Sequence, residues 1–127
     1  MENIQIPAAQ RTPSLNLDVV NRLFELEGES YPEDTRKFYE EPISQVVAFI
    51  SQKHQEQVIC KFKLKYFNSS SAKVIMDLCT AIESSAKGGN RIKVEWHYIA
   101  DDDNMKELGE EFSEELSSAE FELIEYW

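Results

Sequence analysis

At 127 residues, 42% hydrophobic and 29% charged, the chain has the size and composition of one globular domain, expected to span residues 1–127. A net charge of −11 disfavours nucleic acid as a ligand, and no apolar run is long enough for membrane insertion. Met1 to Arg11 lack the basic start and apolar stretch of a secretory signal, so the expected location is cytoplasmic.

Ile4 to Arg11 read as an extended lead-in. Ser14 to Asp18 alternate around Leu15 and Leu17, which predicts a strand. Arg22 to Gly28 predict a second, with Phe24 and Leu26 on one face and Glu25 and Glu27 on the other. The short link at Val20–Asn21 joins them as a hairpin. Ser30 to Asp34 form a turn, because Pro32 has no N–H to give a ladder and keeps Tyr31 out of a helix. Asp34 or Thr35 then caps a helix over Arg36 to Gln52, in which Ile43, Val46, Val47 and Ile50 share a face. Pro42 inside this stretch predicts a kink, or a short turn of helix followed by the main one.

Val58 to Phe67 alternate cleanly. Val58, Cys60, Phe62, Leu64 and Tyr66 are expected on a buried face, and Ile59, Lys61, Lys63 and Lys65 on a wet one. Asn68 and the serines after it suit a helix start, since their side-chain oxygens accept from unpaired amides. The helix runs from about Ser70 to Lys87, with Val74, Ile75, Leu78 and Ile82 on one face, and stops at Gly88-Gly89. Arg91 to Ile99 alternate again. Asp102 and Asp103 can cap a helix from about Asn104 to Leu116, and Glu120 to Tyr126 form a last strand. The order β-β-α-β-α-β-α-β predicts an α/β fold with a mixed, mostly parallel sheet and one face less covered than the other.

Catalytic sets are absent from this pattern. There is no Gly-rich phosphate loop, and neither a cofactor nor a metal is expected. Cys60 and Cys79 each lie in an apolar periodic stretch and read as buried thiols. His54 sits in a polar link and His97 on a polar strand face. The Glu110–Glu111 and Glu114–Glu115 pairs lack the oxygen-rich loop of a calcium site and read as a solvated helix face. Lys61, Lys63 and Lys65 read as ordinary strand-face charges. From Asp101 to Trp127 there are eleven acidic residues against one lysine. That end reads as a solubilising surface and, secondarily, as a second candidate binding surface.

One feature carries possible chemistry: Tyr66-Phe67-Asn68-Ser69-Ser70-Ser71, where a lysine-rich strand enters a helix. Three hydroxyls in a row are explained by redundant capping alone. They also suit phosphorylation. A phosphate adds about −1.5 to −2 charges at neutral pH. At a helix start it meets unpaired amides and the positive end of the dipole, so the fold tolerates it while the surface changes sign.

The strand, the Asn-Ser-Ser and the apolar helix resemble the STAS domain of anti-sigma factor antagonists, where an Asp-Ser-Ser at the same junction carries the phosphoserine. Gly28-Glu29-Ser30-Tyr31-Pro32-Glu33 resembles the G-x-S-Y-P-E segment of the SiaC family of regulatory phosphoproteins. Tyr66 to Ser71 resemble that family's Y-x-N-[ST]-S-S segment. Met76-Asp77, Glu95 to Tyr98 and Glu110-Glu111-Phe112 also match in place, so the resemblance covers nearly the whole chain. It implies a STAS-like two-layer fold with helices mainly on one face of the sheet. It implies a non-enzymatic protein phosphorylated by a dedicated kinase and dephosphorylated by a membrane-associated, metal-dependent phosphatase. It also implies a diguanylate cyclase, or a similar signalling enzyme, as the partner bound by the unphosphorylated form, which links the protein to cyclic di-GMP, aggregation and biofilm growth. The family's acceptor, often threonine, falls on Ser69, with Ser70 the alternative. The expected partner surface borders it: Tyr31, Pro32, Asn68, Ser70 and Ser71.

Two other readings stay open on the sequence. A constitutive interaction module would bind its partner regardless of Ser69→Asp. A small-ligand-binding domain or enzyme would need a pocket of convergent polar groups, for which Tyr31, Asn68 and His97 are the sole candidates.

Overall fold

Strands that alternate apolar and charged residues have one face to bury and one to leave in water. Six such strands form one sheet in the computed structural model, which describes residues 1–127. The elements are β1 (Ile4–Ile6), β2 (Ser14–Asp18), β3 (Leu23–Ser30), α1 (Thr35–Ser51), β4 (Val58–Phe67), α2 (Ser69–Lys87), β5 (Ile92–Ile99), α3 (Asp103–Ser113) and β6 (Glu120–Tyr126). The strands lie in chain order across the sheet. β1, β2 and β3 pair antiparallel, and β3 to β6 pair parallel. Each parallel step moves the same way across the sheet, and right-handed crossovers then place all three helices on one face. No helix is long and apolar enough to cross a membrane.

The core forms between that face and the helices. Phe24, Leu26, Cys60, Phe62, Val94 and Trp96 point from the sheet toward Val46, Phe49, Ile50, Ile75, Leu78 and Ile82. Cys60 and Cys79 are both buried and unpaired, and burial pushes each thiol up to about 12. Trp96 donates its indole N–H to the Met105 carbonyl at 3.0 Å. α3 can lie this close because residue 109 is glycine: a Cβ there would stand 2.5 Å from Trp96 Cδ1. The other sheet face is wet and self-neutralised. Glu25 pairs with Lys61 at 3.9 Å, Glu27 with Lys63 at 4.0 Å, and Glu122 with Lys93 at 2.6 Å.

The structure departs from the sequence expectations at several points, one being Ser30, which closes β3 as a buried residue rather than opening the turn. The lead-in contains an edge strand, β1, because Ile4 and Ile6 pack against the core while their backbone pairs with Leu15 to Leu17. Of the two outcomes expected at Pro42, the split into two helices does not occur: α1 is one element through it, with Tyr39, Val46, Phe49 and Ile50 in the core. Tyr66 is not on the buried face. The β3–β4 register shifts between Gly28 and Glu29, where Gly28 takes φ +119°, so alternation breaks. Tyr66 is left 51% exposed, and Phe67 turns inward against Trp96 and Phe112. Finally, α3 ends at Ser113 rather than Leu116. Glu114 and Glu115 there oppose the helix dipole.

The chain then turns into β6 through a loop fastened by Glu83. Its carboxylate accepts from the amides of Ser117, Ser118 and Ala119 and from the Ser117 hydroxyl, at 2.9–3.1 Å. Burial pushes this carboxyl up, but the amides of Ala119 and Ser118, with the Ser117 donors, outweigh it and hold the group at about 2.

Candidate functional site

Helices that follow neighbouring parallel strands start at the same edge of the sheet, and so the openings of α1 and α2 meet. α1 begins behind Asp34, whose side chain accepts from the Lys37 amide at 3.0 Å. α2 begins behind Asn68, whose Oδ1 accepts from the Ser71 amide at 2.9 Å. The Asn68 amide in turn donates to the Ser30 carbonyl at the end of β3, at 3.0 Å. Both caps fill the role that Asp and Asn play at helix starts.

Ser69, Ser70 and Ser71 are the first three residues of α2, in three different settings. Ser71 is 1% exposed. Its hydroxyl lies 2.7 Å from Ser30 Oγ, which lies 2.6 Å from the Tyr39 phenol, so three buried hydroxyls tie α2, β3 and α1 together. Burial pushes the Tyr39 phenol up to about 12 against a smaller opposing effect of Ser30, so it stays protonated at neutral pH. Ser70 is exposed, yet its hydroxyl donates to Asn68 Oδ1 at 3.1 Å and sits 2.6 Å from Thr35 Oγ1. Ser69 is exposed and its hydroxyl bonds to no other group of the protein. Its amide and that of Ser70 belong to the helix start, where no intrahelical carbonyl is in reach.

Around this point the structure gathers most of the residues expected there. Tyr31 follows Ser30, is partly exposed, and packs edge-on to Tyr66 at 5.9 Å between ring centres. Pro32 is buried, as is Ser71, so these two support the surface from beneath. Lys65 and Lys73 lie four residues before and after Ser69, and neither has an acidic partner within ion-pair distance. The histidines have other bonds: His54 Nε2 is 2.7 Å from the Phe49 carbonyl and His97 Nε2 is 3.1 Å from Glu95. Sequence reasoning missed the roles of Thr35, Ser30 and Tyr39. Thr35 and Ser30 reach α2 from other parts of the chain, and Tyr39 reaches it only through Ser30. The available signal was a serine at an inward position at the end of a strand, followed by a tyrosine on the apolar side of the next helix.

Fold and junction together define a class: a two-layer, STAS-like α/β protein with a serine-rich strand-to-helix junction. The family model described as SiaC family regulatory phosphoprotein matches residues 6–126. An uncharacterised protein of Pseudomonas aeruginosa is 32% identical over 117 residues, covering 92% of each chain. The crystal structure of apo-SiaC from Pseudomonas aeruginosa superposes with a TM-score of 0.87 at 32% identity, over 98% of this chain and 99% of that one. A crystal structure of the diguanylate cyclase SiaD in complex with its activator SiaC, also from Pseudomonas aeruginosa, matches with a TM-score of 0.89 at 30% identity, over 97% and 99%. The chain belongs to the SiaC family of regulatory phosphoproteins.

Proposed function

We propose that this protein is a non-enzymatic partner switch, phosphorylated on Ser69, whose unphosphorylated form binds and regulates a diguanylate cyclase. The observation that carries the choice of residue is the inequality of the three serines. Ser71 is buried and Ser70 is engaged twice, whereas Ser69 is exposed and unengaged. Phosphate on Ser69 meets the free amides of the helix start and, one turn on, Lys73. The fold therefore accepts the modification, and the partner surface of Tyr31, Asn68 and Ser70 feels it. A partner packed there without a cation of its own would have to strip water from a dianion that those amides and one exposed lysine only partly offset, which is costly. The cyclase is the choice of partner because the similar SiaC of Pseudomonas aeruginosa is described as the activator of the diguanylate cyclase SiaD. A dedicated kinase and a metal-dependent phosphatase complete the cycle, which operates in the cytoplasm.

Calorimetric titration of a purified SiaD-type cyclase with the two forms of this protein tests the switch. The unphosphorylated form is expected to bind, and the Ser69-phosphorylated form to bind at least about tenfold more weakly, a difference of ~1.4 kcal/mol. Equal affinity of the two forms would leave a constitutive interaction module instead.

A further inference from the structure

Ser70 is exposed, as Ser69 is, and the two are adjacent in the chain, so a kinase reaching one meets the other. Phosphoryl transfer from a nucleoside triphosphate makes the same demand of either. The acceptor oxygen turns a lone pair on the γ-phosphorus, and its proton passes to a base of the kinase or to water. The new O–P bond forms as the bond to the β–γ bridging oxygen breaks, and the nucleoside diphosphate leaves. Ser70 is not free to do this. Its single proton is given to Asn68 Oδ1 at 3.1 Å. In the 2.6 Å contact with Thr35 Oγ1 the proton must then come from Thr35, which consumes a lone pair of Ser70 as well. Asn68 Oδ1, the other end of this chain, is held in place by the Ser71 amide at 2.9 Å. Thr35 reaches Ser70 from the first position of α1, which Asp34 fixes by its cap.

We infer that Thr35 is a positioning residue that selects the phosphorylated serine: its hydroxyl engages Ser70 and leaves Ser69 as the free nucleophile. This rests on the phospho-switch reading above. It adds that the site choice is written in α1, outside the serine run itself. Turning Ser70 toward a kinase breaks two hydrogen bonds, and turning Ser69 breaks none.

The test replaces the wild-type protein in its own cells by Thr35→Val or Thr35→Ser and maps phosphopeptides of the soluble protein across growth phases. In wild type, Ser69 carries the phosphate. In Thr35→Val the ratio of Ser70 to Ser69 phosphate is expected to rise by about fivefold, the effect of releasing one ordinary hydrogen bond. In Thr35→Ser, which keeps the hydroxyl, the ratio stays at the wild-type value. A general loss of structure would also release Ser70, so the thermal unfolding midpoint of Thr35→Val is measured beside the map and is expected to stay within a few degrees of wild type. An unchanged ratio in Thr35→Val overturns the role of Thr35 and leaves the switch standing. An equal rise in Thr35→Ser also overturns it, since the hydroxyl is then irrelevant. Wild-type protein with phosphate on neither serine in any growth phase overturns the switch itself, and this inference with it.

Discussion

Toward its C-terminal end, α2 carries Glu83, an anion already fastened by the amides of Ser117, Ser118 and Ala119. At its first residue it carries Ser69, a neutral hydroxyl beside amides that have nothing to bind. Both ends bring backbone donors to one point, but only the Glu83 end has a resident negative charge. A permanent anion is a fixture that joins α2 to the loop before β6. The phosphate proposed on Ser69 would be the opposite case, an anion installed and removed at donors otherwise left to water, and so a signal.

The largest expected effect is at the fixture. Glu83→Ala leaves the three loop amides without their acceptor and is expected to lower the thermal unfolding midpoint more than any substitution at the junction, as differential scanning calorimetry would read. Glu83→Gln sharpens the point through pH. The carboxyl titrates at about 2 in the folded protein against 4.5 for the free group. Its contribution is therefore complete above pH 4.5 and is lost as pH falls toward 2. The stability gap between wild type and Glu83→Gln should accordingly be constant from neutral pH down to about 5 and close below that. A gap that widens in acid would contradict the assignment.

This contrast also shows what the sequence could carry. Alternation and caps are local, so β4, β5, the two helix starts at Asp34 and Asn68, and the serine run were all legible. The Glu83 latch was not, because its donors lie at residues 117–119 and nothing in the Ile75-Cys79-Glu83 spacing announces them. Alternation puts Tyr66 on the wrong face for a related reason: the register shift that exposes it arises across strands, where Gly28 pairs with Leu64 and Glu29 with Tyr66 and Lys65 is left over. The family resemblance ranks Ser69 ahead of Ser70, but the settings of the three serines are not legible, since Ser30 and Thr35 decide which hydroxyls are engaged. β1 was too short to announce itself.

Smaller effects belong to the junction. Asn68→Ala removes the cap of α2 and the acceptor for Ser70, and is expected to cost about 1 kcal/mol in denaturant unfolding. A loss near zero would mean that the serines cap the helix redundantly. Ser69→Ala should change stability by less than about 0.5 kcal/mol in the same assay, because its side chain touches nothing that the fold needs. A large loss there would make Ser69 a structural residue and remove the contrast with Glu83.

The most direct test of the switch is the position of the phosphate. The protein, incubated with its kinase and ATP, is digested and its phosphopeptides are sequenced by mass spectrometry, beside Ser69→Ala treated identically. The proposed switch predicts one phosphate, on Ser69, and none in Ser69→Ala. Equal phosphorylation of Ser69→Ala, or wild-type phosphate confined to Ser70, would contradict the account.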